Sequence, residues 1–199
     1  MKNPLENLHK TLGLGLILAF VVFVVRGYFS ILGDPSFWAF LFRWIHVLTA
    51  ILWIGLLYYF NFVQMPSMPK IPDEQKPAIS KVIAPMALFW FRWAAAATVL
   101  FGLLTAGANG YLGHALTLQS PTTTIGIGMW LAMIMAANVW FVIWPNQQKV
   151  LGLVQADADA KKKAGRIAML ASRTNTMLSI PMIFFMASSA VFHRPLFGG

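Results

Sequence analysis

The sequence contains no cysteine and only six carboxylates in 199 residues. Without Cys there are no disulfides, thiolate-bound metals, iron–sulfur clusters or covalently attached c-type haem. Charge of both signs is scarce, at 11% of the chain, where a soluble domain carries about 25%. There is no Ser/His/Asp arrangement, phosphate-cradling Gly loop or carboxylate pair, so hydrolase chemistry has no support. What is abundant is apolar: 58% of residues are hydrophobic and the mean hydropathy is +0.68. A water-soluble globular protein is excluded. The composition defines an all-α integral membrane protein.

Crossing about 30 Å of hydrocarbon takes roughly 20 apolar residues in a helix. Five stretches qualify: 12–32, 37–63, 85–106, 123–144 and 177–193. The whole of 1–199 therefore reads as a single membrane domain, a five-transmembrane-helix bundle. The first stretch lacks a small-residue cleavage site after its apolar run, since Arg26-Gly27-Tyr28-Phe29 stands there, so it reads as a retained helix rather than a signal peptide. The link 65–81, with Pro66, Pro69, Pro72 and Pro77, is expected to be irregular until about Pro77. Residues 146–176 alternate apolar Val150, Leu151, Val154 and Ala158 with Gln147, Gln148, Gln155 and Asp159 at helical spacing. They are expected to form a cytoplasmic amphipathic helical hairpin between the fourth and fifth spans.

The cations set the orientation. Lys2 and Lys10 precede the first span, Lys70, Lys76 and Lys81 lie in the second link, and Lys149, Lys161–Lys163, Arg166 and Arg173 lie in the fourth. The first and third links carry none. Strict alternation predicts a cytoplasmic N-terminus and a periplasmic C-terminus in a bacterial inner (cytoplasmic) membrane. The basic fourth link suits anionic lipid of the bilayer; nucleic acid is not expected, because aromatics are not interleaved with the cations.

Arg26, Arg43 and Arg92 fall within the apolar stretches, whereas all six acids lie outside them. A charge at mid-bilayer costs about 2.5–3.5 kcal/mol on the lenient insertion scale. Arg92 sits where its side chain can snorkel. Arg26 and Arg43 suit either snorkelling or an anionic guest such as a haem propionate. Arg43 and His46, three apart, share a helix face, and His46 lies about 13 Å in from Phe37 at 1.5 Å per residue. Imidazole is a usual ligand of haem iron, copper and zinc. His46 is thus the candidate metal ligand, with His114 and His193 as further outer-side candidates and Arg26 and Arg43 as propionate partners. Packing within the bundle is the competing role for His46. Asn138 must find a buried partner, and Trp53 sits deep enough for core packing or stacking on a flat cofactor.

Four stretches carry a resemblance: His46-Val-Leu-Thr-Ala-Ile-Leu-Trp53-Ile-Gly55, Trp90-Phe-Arg92-Trp93, Asn138-Val-Trp-Phe-Val-Ile-Trp-Pro145-Asn146-Gln147, and Ser172-Arg173-Thr174-Asn175-Thr176-Met-Leu-Ser-Ile-Pro181. Across about Phe40 to Ala187 the chain resembles the N-terminal membrane domain of the bacterial membrane-bound urate oxidase (urate hydroxylase) family. In that family a c-type cytochrome domain follows on the outer side; the lack of Cys means that this sequence is expected to stop short of it. The link 65–81 also lacks the His- and Gly-containing stretch of longer members. The resemblance implies electron transfer from an oxidised substrate to a cytochrome, and makes His46, Trp53, Gly55, Arg92 and Asn138 family-motif positions.

Three functions fit these features. One is a membrane-embedded redox protein, holding b-type haem, or copper as the second choice, through His46 near the outer face and passing electrons to an external c-type cytochrome. Another is a non-catalytic accessory subunit packed against other membrane subunits. The third is urate oxidation itself.

Overall fold

The computed structural model describes residues 3–191, and the described residues are helical with no strand. The chain divides into two units, Met1–Trp38 and Ala39–Gly199. In the first unit, helix α1 (Leu8–Val25) starts at Asn7, whose side chain accepts the Lys10 N–H at 3.2 Å and satisfies one of the orphan donors of the first turn. The helix is apolar on every side, as suits a segment surrounded by hydrocarbon. It stops seven residues earlier than the expected span. Arg26 is its C-cap, exposed just past the last full turn, where a cation complements the helix dipole. Arg26 therefore caps the helix rather than lying within the apolar stretch, as the expected span of 12–32 placed it. Next comes a 3-10 turn, Tyr28–Ile31, with Tyr28, Phe29 and Phe37 gathered on the Phe23 ring at centroid distances of 5.6–5.8 Å.

Helix α2 (Pro35–Tyr58) begins with Asp34, whose carboxylate accepts the Ser36 N–H at 2.7 Å, and with Pro at the first helical position. It widens into a π turn at Tyr59–Gln64 and continues as helix to Lys70. The link expected to be irregular as far as Pro77 breaks only at 71–75. Helix α3 (Ala84–Ala108) is entered through Lys76–Ala78 and a second π turn, Ile79–Ile83. Short helix α4 (Leu112–Leu116) leads to α5 (Thr123–Asn138), a third π turn at Val139–Ile143 and a final stretch, Trp144–Val150. Helix α6 (Ala158–Val191) closes the described chain.

Each π turn has a proline two residues beyond it: Pro66, Pro85 and Pro145. Proline donates no N–H to the carbonyl four residues back, and its ring crowds that carbonyl. A wider turn accommodates the misfit and lets the helix run on.

The second unit packs around Trp53, Leu57 and Phe60 from α2 and its π turn, Leu88, Phe91 and Ala95 from α3, Met135 and Val139 from α5 and its π turn, and Met182 from α6. Small residues let the helices close. Gly126 of α5 meets the Ala115 carbonyl of α4 so tightly that a Cβ would overlap it.

Four described stretches are long and apolar enough to cross a membrane: Leu8–Val25, Pro35–Lys70, Lys76–Ala108 and Thr123–Val150. This is one fewer than expected. The described part of the predicted fifth span is the end of α6, residues 177–191, which includes the buried Ser179 and Ser188. The rest of that span, with His193, lies outside the described residues. The expected hairpin takes a changed form. Its arms are continuations of α5 and α6, joined at 151–157, and Lys161–Lys163 stand exposed in the first turns of α6.

Candidate functional site

His46 projects from α2 onto α3. Its Nδ1 lies 2.7 Å from the backbone carbonyl of Thr98. A carbonyl oxygen only accepts, so Nδ1 carries the proton and the neutral ring keeps its lone pair on Nε2. This is the arrangement in which ligating histidines are held, one nitrogen tied to a carbonyl and the other turned to the metal. The neighbouring turn of α3 makes the ring's position possible. A Cβ on Gly102 would lie 2.9 Å from His46 Cε1 and 3.0 Å from Nδ1, closer than carbon and nitrogen tolerate. Thr98 is buried and donates its own hydroxyl to Ala94 O at 2.7 Å, leaving its carbonyl to the imidazole.

Beside the ring is a small apolar cavity of about 30 Å³, bounded by His46, Thr98 and Gly102, and by Met129, Met133 and Met186 from α5 and α6. It has room for one water or one ion. Drug-sized ligands and cofactors occupy pockets of about 300–1,000 Å³, so the enclosed space suits a metal ion as it stands and would have to open to take a porphyrin.

The other cations and histidines fall into distinct places. Arg43 is exposed, and its positive charge is felt by Tyr111. Burial pushes the Tyr111 hydroxyl above its ordinary pKa, and Arg43 opposes that shift. Arg43 and His46 thus both address α3 and the segment that follows it. His114 is exposed on α4. Among the described residues no group of three His, Cys, Asp or Glu side chains could hold a metal. Arg92 does not reach for headgroups. Its guanidinium lies over the Trp144 ring at 3.6 Å and near Phe89 at 5.8 Å, a cation–π stack that stabilises the charge within the protein. Trp140 Nε1 donates to the Arg92 carbonyl at 3.1 Å.

A second polar feature crosses the core lower down. Asn138 Nδ2 donates to Asn175 Oδ1 at 2.8 Å and to Ala171 O at 2.9 Å, and Asn175 Nδ2 donates to Met135 O at 3.0 Å. Asn61 Nδ2 donates to Ser172 Oγ at 2.8 Å, and Tyr58 OH pairs with Ser179 Oγ at 3.0 Å. Asn61 Oδ1, Gln64 Oε1 and Trp53 Nε1 are buried with no protein partner. Asn138 has the partner that its buried position demanded, and Trp53, fully buried, is a core residue. Gly55 is exposed and a Cβ there would meet nothing.

The sequence reading missed the lining methionines and the Asn175 stripe. Met129 and Met133 stand four apart, and Ser172, Asn175 and Ser179 recur at three and four, so each set shares a helix face. That periodicity was the available signal. Which helix each set faces was not legible.

Residues 111–196 match the family model described as urate oxidase N-terminal. That segment is similar to the urate oxidase N-terminal family. No curated protein and no solved structure matches the chain significantly.

Proposed function

We propose that this is a membrane-embedded redox protein, akin to the membrane domain of membrane-bound urate oxidases, whose cofactor is held by His46 and whose electrons pass to an external c-type cytochrome. The observation that carries the reading is the imidazole of His46, its Nδ1 2.7 Å from Thr98 O, which leaves Nε2 as the nitrogen that can bind a ligand. A haem iron or a copper ion bound there would supply a one-electron couple. The residues of the chain fix the tautomer, line the space with apolar side chains, and place Arg43 on the same helix face for an anionic partner. Haem b and copper are the two cofactors this site proposes. The protein is taken to lie in a bacterial inner membrane with five spans, N-terminus inside and C-terminus outside, a topology that the alternation of loop cations supports.

The absorption spectrum and metal content of the purified protein test this. A Soret band or stoichiometric copper, lost on His46→Gln, is expected; neither cofactor in either protein would overturn it. Urate-dependent reduction of an added cytochrome would extend the reading to urate oxidation.

A groove of about 400 Å³ between α5 and α6, floored by Asn138 and Asn175 and walled by Ile134, Phe141 and Leu178, favours a second reading as an accessory subunit. Amides in apolar surroundings are common glue between membrane helices. The native particle in mild detergent decides: a larger assembly supports this role, and a monodisperse monomer counts against it.

A further inference from the structure

We propose that the cavity beside His46 is a binding site for one soft monovalent metal ion of the copper(I) class, with His46 Nε2 and the thioethers of Met129, Met133 and Met186 as its donors. The proposal rests on the reading above that His46 is a ligand, and goes beyond it by assigning the metal and three further residues. Four of the residues around this cavity carry an atom that can ligate a soft metal, and they come from three helices: His46 from α2, Met129 and Met133 from α5, and Met186 from α6.

The chemistry of the donors selects the ion. Calcium and magnesium require oxygen ligands and, for magnesium, retained water; no carboxylate lines this space. Thioethers favour copper(I) among the first-row metals, and imidazole accompanies them well. All four donors are neutral, so a bound monovalent ion leaves a single positive charge, where a divalent one would leave two in a low-dielectric site. Size agrees, since about 30 Å³ holds an ion stripped of water. The donors are also prepared. The Thr98 carbonyl fixes the ring, Gly102 admits it, and Gly128 lies against Met186, whose Cγ would be 3.3 Å from a Cβ there.

The test is competition for copper(I) between the purified full chain in detergent and a chromophoric copper(I) chelator, under reducing conditions. The expected result is one copper(I) per chain. Met129→Leu/Met133→Leu/Met186→Leu together, and His46→Gln alone, should each weaken binding by more than the ~10–100-fold that loss of an outer-shell partner costs. Leucine nearly conserves the volume of methionine. Met133→Leu alone, at a half-buried position, gives a milder variant should the triple one fail to fold, and should also weaken binding. X-ray absorption of the copper-loaded protein should show sulfur and nitrogen neighbours. No copper(I) captured from the chelator, or capture unchanged by the methionine substitutions, overturns the proposal. A Soret band from His46-bound haem overturns it too while leaving the redox reading intact. Copper(I) bound as expected without any reduction of a cytochrome overturns the redox reading and leaves the metal site standing.

Discussion

Single side chains decide whether this bundle has a site at all. Gly102 is the most sensitive position, because a methyl there would press on the His46 ring from 2.9 Å. Gly102→Ala is expected to displace the imidazole, break its bond to Thr98 and cost about 1–3 kcal/mol as overpacking does. Thermal unfolding in detergent and cofactor content should fall together; a variant that keeps both at wild-type values would show that the ring is not confined. Asn175 is fully buried and exchanges hydrogen bonds with Asn138 and Met135. At the modest values found inside membranes, Asn175→Ala should cost about 0.6–2 kcal/mol, measured by reversible unfolding in mixed micelles, and an effect near zero would contradict the bonding described. Arg92 over Trp144 should show a coupling of about 0.5–2 kcal/mol in an Arg92→Leu/Trp144→Leu double-mutant cycle. The identities of His46, Arg92 and Asn138 as special residues were legible from polarity alone, since each stands in an apolar run. Their partners were not. A cation in a hydrophobic stretch signals that it needs something, and only the packing reveals that Trp144 supplies it.

At the scale of elements, the helices follow from apolar length, and their irregularities follow from proline. The π turn at Val139–Ile143 precedes Pro145 by two residues. Replacing Pro145 with Ala restores an N–H and removes the ring, so the turn should tighten to ordinary α geometry, with amide exchange at 139–145 slowing; unchanged exchange would mean that packing, not proline, sets the turn. The start of α2 carries a pH dependence. The Ser36 backbone N–H bonded to Asp34, helped by the Ser36 side chain, holds the Asp34 carboxyl below its usual pKa. A folded pKa below the unfolded one, about 3.9, means that the cap contributes fully above that value and is lost as pH falls through the lowered folded pKa. Carboxyl NMR should show Asp34 titrating below the ordinary range, with the first turn of α2 fraying in step; a midpoint at or above 3.9 would contradict the cap. Element boundaries were the least legible part. Nothing in a hydropathy run says that α1 stops at Val25, or that helix survives Pro66 and Pro69 as far as Lys70.

For the whole molecule, the membrane class was written in composition, and the all-helical architecture followed from it. The fifth span, expected at 177–193, runs past the last described residue, and four apolar stretches of spanning length stand among the described residues. The accessible function depends on long-range geometry of a kind that periodicity does not encode: an α2 imidazole, an α3 carbonyl and methionines from α5 and α6 around one small space. The most direct measurement of the central claim is the visible spectrum and metal content of the purified full chain, oxidised and then reduced, beside those of His46→Gln. The account predicts a reducible haem or copper signal in the wild type that is absent from the variant. An equal signal in both proteins, or none in either while both are folded, would contradict it.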